Sequence, residues 1–257
     1  MTAETTEIAP VLLKERIGDV LLLTLNRPEK HNALNASIHH WLGDAVARAP
    51  EEGVKVIVLT GAGEKSFCSG GDMAEMTGLD AMGPLPPKEE RKNGTTEIAR
   101  SPLPVIAAIN GYCYGGGLRL ALVCDIRLAS SNATFRSPGA EYGLVVGASM
   151  LPRLVGASTA KEWLFTARVF DAEEARAAGL VSSPLREPGS VVEAALEMAQ
   201  TIAGHSAAAV QNAKRVVDLA SLEMDAVRQE TEINNQLRGS DEQTTRFRDA
   251  TRRVTGR

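Results

Sequence analysis

The sequence is poor in aromatic residues, poor in cysteine and without a large excess of charge of either sign. Aromatic residues make up 4% of the 257 positions, and the formal net charge is −4. A strongly basic face is typical of nucleic-acid-binding proteins, so no nucleic-acid partner is expected. No apolar run approaches the length that crosses a bilayer, and residues 1–10 have neither a basic start nor an apolar stretch. These absences predict a cytoplasmic protein with no membrane span and no signal peptide.

The three cysteines and four histidines exclude two further classes of site. Cys68, Cys113 and Cys124 lie in or beside apolar runs, and their number is odd. They are therefore expected to be reduced, buried thiols rather than a disulfide framework. No zinc-ligand spacing occurs among His31, His39, His40 and His205, so no metal site is predicted.

The order of hydrophobic patterns predicts an α/β core followed by helices. The segments 11–16 and 20–26 are typical of a hairpin, and short apolar runs at 54–59 and 105–109 are typical of buried strands. Beyond His205 every pattern is helical. We therefore divide the chain into a core at 1–200 and a helical region at 201–257, with a mobile flap at 78–94.

Polar residues before helical patterns predict three helix starts. Asn35 is a candidate N-cap, while Asp171 and Ser190 each begin a capping-box pattern. The last helix of the chain is expected to be short.

Two glycine-rich turns after apolar runs are the chain's strongest chemical signal. Gly115, Gly116 and Gly117 precede a predicted helix at 118–123, and a second turn occupies 67–73. Glycine lets the backbone approach a ligand closely, and the first amides of a helix have no internal partner. Such a turn can hold an anion or a developing negative charge, although one cluster alone is equally typical of tight packing.

Three generic motifs fit less well. Gly61-Ala62-Gly63 begins a dinucleotide fingerprint, but Ser66 stands at the third glycine. A phosphate loop fails because no glycine precedes Lys65. The segments 68–71 and 147–150 each lack one glycine of a nucleophile elbow, which leaves a serine hydrolase as a rival class.

The two turns belong to an ordered set of motifs. Their sequences are Asn26-Arg27-Pro28-Glu29-Lys30-His31-Asn32-Ala33-Leu34, Phe67-Cys68-Ser69-Gly70-Gly71-Asp72-Met73, Pro104-Val105-Ile106-Ala107-Ala108-Ile109-Asn110-Gly111 with Gly115-Gly116-Gly117, and Cys124-Asp125. Leu151-Pro152-Arg153-Leu154-Val155-Gly156 and the segment 174–181 follow them. With this set the chain resembles the enoyl-CoA hydratase/isomerase (crotonase) superfamily over nearly its whole length.

The resemblance implies a spiral of ββα units followed by helices that form a homotrimer or a dimer of trimers. It also implies an acyl-CoA thioester as ligand, with no cofactor because coenzyme A is part of the substrate. The thioester oxygen is expected between the amides of Gly71 and Gly116. Matching positions for the rest of the ligand are Lys30, Ala33, Leu34, Ser69, Gly70, Asp72, Met73, Tyr114, Gly115, Arg119, Pro138, Gly139 and Phe247.

The sequence departs from the family at both catalytic glutamates. The family's hydratases carry one glutamate two residues after the glycine triplet, where Arg119 stands, and another at the position of Gly139. Arginine stays protonated and cannot act as the base. Each positioned acid or base contributes ~10²–10⁴ in rate, so ordinary hydration is expected to be nearly lost. The loop 143–151 is also shorter than usual and has no nearby aspartate.

Two hypotheses remain open. In the first, the chain is an enzyme whose base has moved to Glu141, which shares a face with position 139 if the segment is extended. Arg119, Tyr142 and Ser149 could assist, although pairing with Arg119 would make Glu141 a poorer base, and an exposed polar residue is the plainer interpretation. In the second, the chain binds fatty acyl-CoA without turnover, as do family members that share Tyr142-Gly143-Leu144.

Overall fold

The computed structural model describes residues 10–256 except 82, 84 and 183. Within those residues the chain forms nine strands and eleven α-helices. The strands are β1 (Leu12–Ile17), β2 (Val20–Leu25), β3 (Val56–Gly61), β4 (Ser66–Cys68), β5 (Val105–Ile109), β6 (Tyr112–Tyr114), β7 (Ile126–Ala129), β8 (Thr134–Arg136) and β9 (Val169–Asp171). The helices are α1 (Ala36–Arg48), α2 (Met73–Met76), α3 (Gly94–Arg100), α4 (Gly116–Val123), α5 (Pro152–Val155), α6 (Ala157–Thr166), α7 (Ala172–Ala177), α8 (Val191–Ala203), α9 (Ala207–Ser221), α10 (Met224–Leu237) and α11 (Asp241–Thr255).

The strands form two sheets, and from β3 to β8 successive strands along the chain alternate between them. The larger sheet has the order β1-β2-β3-β5-β7 and the smaller one the order β4-β6-β8-β9. The hairpin β1–β2 and the pair β8–β9 are antiparallel, and the remaining pairs are parallel. Three successive units therefore give one strand to each sheet: β3 then β4, β5 then β6, β7 then β8. This arrangement confirms the predicted α/β class and the ββα spiral.

The central strands of the larger sheet are buried on both faces, and their side chains alternate between two hydrophobic clusters. Ile57 and Leu59 belong to the main hydrophobic cluster, which also contains the buried face of α1. Val56 and Val58 belong to a second cluster with Val191 and other small residues of α8. Strands covered on both sides read as continuous apolar runs, as the sequence predicted for this core.

The C-terminal helices begin before the predicted boundary at residue 200. Helix α8 covers the sheet with Val191, Ala195 and Ala199, and it runs across that boundary to Ala203. The division into two regions stays a prediction.

All three predicted helix starts are confirmed, since α1, α7 and α8 begin directly after Asn35, Asp171 and Ser190. The Asn35 side chain accepts a hydrogen bond from the Ile38 amide, and that of Asp171 accepts one from Glu174. At Ser190 the side-chain hydrogen bond of the capping box is absent, because the hydroxyl donates instead to the Glu187 carbonyl, 3.0 Å away. The last helix is also not short: α11 has 15 residues, with Ser240 as its N-cap.

The predictions for the cysteines are confirmed. Cys68, Cys113 and Cys124 are free and buried, and burial raises the pKa of Cys68 and Cys124 to about 12. None of the helices in the described ranges is long and apolar enough to cross a membrane.

Candidate active site

Parallel pairing of β4 with β6 places the two glycine turns at the same edge of the smaller sheet. The first turn, Ser69-Gly70-Gly71, follows β4, and the second, Gly115-Gly116, joins β6 to α4. Gly70 has a φ of +111°, a region that L side chains rarely adopt. A β-carbon on Gly117 would lie 2.2 Å from the Cys68 carbonyl oxygen, so glycine alone lets α4 pack this closely against β4.

The backbone amides of Gly71 and Gly116 face one small space. A β-carbon at position 116 would lie 3.4 Å from the nitrogen of Gly71, and one at Gly70 would lie 3.4 Å from that of Gly116. Neither of these amides donates a hydrogen bond to any residue that the structure describes. Two free N–H donors at a helix start can stabilise an oxyanion without reorganising.

The loop 27–34 lies against the first glycine turn. The Leu34 amide donates to the Gly70 carbonyl at 2.7 Å, and the Leu34 carbonyl accepts from the Asp72 amide at 2.8 Å. Both Ala33 and Leu34 are buried. The Ser69 amide, in the glycine turn, donates to the carbonyl of His31, in the same loop, at 3.0 Å. The predicted positions of this loop and turn are thus brought together.

Two residues that fix this loop were missed by the sequence reasoning. Asn32 is fully buried, and its amide nitrogen donates to the carbonyls of Ala62 and Ser66 at 3.0 and 2.7 Å. The Arg27 guanidinium lies 2.8 Å from the Asp72 carboxylate. Both lie inside the motif quoted for the family, but no local pattern reveals that Asn32 is buried.

Asp72 and Met73 begin the short helix α2. The Asp72 carboxylate accepts from the amides of Ala74 and Glu75 at 3.1 and 3.2 Å, so this side chain serves as an N-cap as well as a partner of Arg27. On the neighbouring loop, Lys30 is ion-paired with Asp80 at 3.1 Å.

On the other side of the site, β6 and β8 hold the second turn. The hydroxyls of Tyr114 and Thr134 are hydrogen-bonded at 2.8 Å. A β-carbon on Gly115 would lie 3.6 Å from the Pro138 ring. Pro138 and Gly139, both buried, therefore lie next to the glycine turn, as the resemblance implied.

Arg119 is exposed and lies one helical turn after Gly116 in α4. Its electrostatic neighbour is His39 of α1. Burial, and secondly the charge of Arg119, lowers the pKa of His39 to about 4, so this imidazole is neutral near pH 7. The Nδ1 atom of His39 is buried without a hydrogen-bond partner in the described part of the chain.

The space around Gly139 is filled by the loop 143–151, which the family resemblance implies is shortened. A β-carbon there would lie 2.8 Å from the Leu144 carbonyl oxygen and 3.1 Å from the Val146 nitrogen. The backbone path of this loop therefore leaves no room for a side chain at position 139.

The expectation that residues 139–141 are extended is wrong. Gly139 has helical angles, and Ala140–Tyr142 form a 3₁₀ turn, so positions 139 and 141 do not share a strand face. Glu141 is ion-paired with Arg136 and, at 3.0 Å, with Arg253 of α11. Its partners are these two arginines and not Arg119. Burial raises the pKa of the neighbouring Tyr142 phenol.

Side chains of helix α10 are hydrogen-bonded to the backbone of the shortened loop. The buried Glu230 carboxylate accepts from the amides of Gly147 and Ser149 at 2.9 and 2.7 Å. Asn234 exchanges hydrogen bonds with the backbone of Val145. Sequence reasoning missed both residues, because about 80 positions separate them from the loop and neither stands in a recognisable motif.

A cavity of about 590 Å³ opens between α2, α11 and the shortened loop. Met76 connects it to the glycine turn, because its Sδ lies 2.9 Å from where a β-carbon of Gly71 would be. Phe247 lines the cavity and packs edge-on against Tyr142. Among the described lining residues Arg238, Arg248 and Arg252 are cationic and none is acidic. This volume is typical of a small-molecule site.

The sequence matches the family model described as enoyl-CoA hydratase/isomerase over residues 15–253. The short-chain-enoyl-CoA hydratase of Clostridium acetobutylicum is 37% identical over 222 residues, which cover 82% of each chain. A probable enoyl-CoA hydratase of Rhizobium meliloti is 40% identical over 219 residues, covering 83% of this chain and 82% of that protein.

Solved structures agree with these sequence relatives. The crystal structure of carnitinyl-CoA hydratase from Mycobacterium avium has a TM-score of 0.82 and 30% identity, covering 92% of this chain and 94% of that one. The family match spans nearly the whole chain, the relatives are similar over most of their own length, and the two glycine turns meet as the family resemblance implied. The chain is a member of the enoyl-CoA hydratase/isomerase (crotonase) family.

Proposed function

We propose that this protein is an enzyme that binds an acyl-CoA thioester with its carbonyl oxygen between the amides of Gly71 and Gly116. The observation that carries the proposal is the pair of free N–H groups facing one space at the start of α4. Reaction beside a thioester passes through an enolate, whose negative oxygen these two donors stabilise. Losing one such donor typically costs ~10²–10³ in rate.

The nucleotide end of coenzyme A is assigned to the loop of Lys30, Ala33 and Leu34, with Ser69, Gly70, Asp72 and Met73 beside it. Support comes from the backbone hydrogen bonds that join this loop to the first glycine turn. The acyl group would then enter the cavity between Met76 and Phe247. Tyr114, Gly115, Pro138 and Gly139 form the opposite wall.

Ordinary hydration is not the activity we assign. Arg119 cannot accept a proton at neutral pH, and the backbone around Gly139 leaves no room for a carboxylate. The names of the relatives support chemistry on a CoA thioester, and the lack of a carboxylate at positions 119 and 139 supports a different acid and base.

The role of Glu141 as a relocated base stays a prediction. Its carboxylate oxygens accept from Arg136 and Arg253, which favours a second role: joining the 3₁₀ turn to α11. A Glu141→Gln variant separates the two. Loss of turnover at unchanged binding supports the base, and unchanged turnover removes it.

Binding without turnover is the second candidate function. It is favoured by one observation, that the positions of both family glutamates lack a carboxylate and one of them has no space for it. A homotrimer, or a dimer of trimers, and a cytoplasmic location are proposed with either function.

Both candidates are tested on one set of samples. Purified protein is mixed with saturated and 2-enoyl-CoA thioesters, binding is measured by calorimetry, and product is measured by mass spectrometry. Tight binding with steady product supports the enzyme, whereas tight binding with no product from any thioester supports a carrier or sensor. Absence of binding across the whole panel contradicts both.

A further inference from the structure

Arg119 is placed to reach a ligand held by the two glycine amides. It stands at the third position after Gly116, and residues three apart lie on the same face of a helix. Side chains in an α-helix lean towards the N-terminus, so we expect the guanidinium to lie over the turn that begins at Gly116. The residues between them, Gly117 and Leu118, are buried and face the core.

This guanidinium has no anionic partner among the residues that the structure describes. Three acidic side chains around the site are paired with other cations: Asp72 with Arg27, Asp80 with Lys30, and Glu141 with Arg136 and Arg253. Over the described residues, Arg119 forms neither an ion pair nor a side-chain hydrogen bond. The neighbouring His39 imidazole is neutral at pH 7 and offers no compensating negative charge.

The anion that balances the positive charge of Arg119 must therefore come from solvent or from the ligand. Guanidinium groups bind carboxylates through two parallel N–H···O bonds, which gives both energy and orientation. A thioester oxygen already has two donors in the amides of Gly71 and Gly116. A third donor that is permanently charged suits a second, anionic group on the acyl chain.

Building on the proposed function, we propose that the preferred ligand is a thioester whose acyl group carries a free carboxylate, which Arg119 binds. Arg119 is then a specificity-determining residue that distinguishes such thioesters from unsubstituted ones of equal length. The phosphates of coenzyme A are a different possible partner, but they are common to every thioester. Matched pairs of acyl groups on the same carrier therefore cancel their contribution.

The test compares succinyl-CoA with butyryl-CoA, which have equal chain length and differ in a terminal carboxylate or methyl group. Malonyl-CoA with propionyl-CoA, and glutaryl-CoA with valeryl-CoA, give the same comparison at other lengths. We expect at least one carboxylated thioester to bind about tenfold to a hundredfold tighter than its neutral match. In Arg119→Gln this ratio falls to about one, through weaker binding of the carboxylated member only.

Arg48→Gln is the matched control, since Arg48 is an exposed arginine that pairs with Asp44 at the far end of α1. Its binding ratio should equal that of the wild type. Ratios near one for all three pairs in the wild-type protein overturn the proposal without any variant. A preference that survives in Arg119→Gln overturns it as well. If none of the six thioesters binds, the proposed function itself fails.

Discussion

The family resemblance aligns Gly139 with a catalytic glutamate of the hydratases, and the surroundings of Gly139 leave no room for that side chain. The backbone angles of Gly139 are helical and would accept any residue, but a β-carbon would lie 2.8 Å from the Leu144 carbonyl oxygen. The loss of the carboxylate and the tighter loop belong together. The sequence indicated both the absence of a carboxylate at position 139 and a short loop at 143–151, but not the close contact between them.

Gly139→Glu is accordingly expected to destabilise the protein without creating hydration of crotonyl-CoA. Displacing the backbone of Leu144 and Val146 should cost about 1–3 kcal/mol, as overpacking usually does. Thermal unfolding and a hydration assay measure the two effects. Arg119→Glu is the matched control, because residue 119 is exposed and should accept a carboxylate with little change in melting temperature. A Gly139→Glu protein with wild-type stability and hydratase activity would contradict this account.

The low pKa of His39 leads to a second prediction at the residue scale, which concerns how stability depends on pH. Its pKa is about 4 in the folded protein, against 6.5 for the free side chain, chiefly because it is buried and secondly because of Arg119. Below pH 6.5 the unfolded chain takes up a proton that the folded chain refuses, so the free energy of unfolding decreases towards pH 4. The full effect is at most about 3 kcal/mol, and it is absent above pH 6.5.

His39→Gln should remove this part of the pH dependence, whereas His205→Gln, at an exposed position, should keep it. Urea unfolding between about pH 4 and pH 7 measures the difference. Parallel pH profiles for the wild type and His39→Gln would show that His39 is protonated in the folded state.

Most of the predicted site residues came from the family resemblance, and only some of them stand in a motif whose physical reason the sequence itself shows. The glycines of both turns are examples, since free amides and close approach require glycine there. Asn32 and His39 could not be identified in that way. Their importance comes from burial, which depends on chain segments distant in sequence.

At the scale of elements, α10 is the part that defines the shape of the shortened loop. Glu230 accepts two backbone amides from Gly147 and Ser149, and Asn234 holds Val145. Local periodicity predicted helices in this region, and α10 and α11 confirm them, but periodicity carries no information about which side chains reach back to the core. The strand and helix order was therefore predictable, and the contact between α10 and the loop was not.

Glu230→Gln tests this contact. A buried amide retains one oxygen acceptor and turns its NH₂ group towards an amide donor, which leaves polar groups unsatisfied. We expect a loss of about 1–3 kcal/mol in the free energy of unfolding. Glu232→Gln, on the exposed side of the same helix, should be neutral in the same denaturant titration. Equal stability of the two variants would mean that the hydrogen bonds to Gly147 and Ser149 contribute nothing.

At the scale of the whole molecule, helix α9 has an apolar surface that no other described part of the chain covers. Val216, Val217 and Leu219 are each more than half exposed, at 58%, 61% and 78%. Exposed apolar clusters of this kind mark interfaces, and the family resemblance implies a trimer. The oligomeric state itself stays a prediction, because a single chain cannot display it.

We expect light scattering to give three or six times the mass of one chain. Val217→Asp should reduce that mass by placing a charge in the interface, while Leu13→Asp, at an exposed position of β1, should not. A wild-type protein that is monomeric at every concentration tested would contradict the assignment of α9 to an interface.

The central claim is that the amides of Gly71 and Gly116 bind a thioester oxygen, and vibrational spectroscopy tests it directly. Butyryl-CoA labelled with carbon-13 at the thioester carbonyl is bound to the protein, and the carbonyl stretch is recorded by difference infrared spectroscopy. Two hydrogen bonds polarise the carbonyl, so the account predicts a shift to lower frequency on binding. Gly116→Ala should abolish the shift, because its methyl group, 3.4 Å from the Gly71 nitrogen, would occupy the space beside that amide where the carbonyl oxygen has to lie. Gly204→Ala, where a β-carbon meets only ordinary contacts at the end of α8, should retain it. A bound thioester whose carbonyl frequency equals that in water would contradict the account.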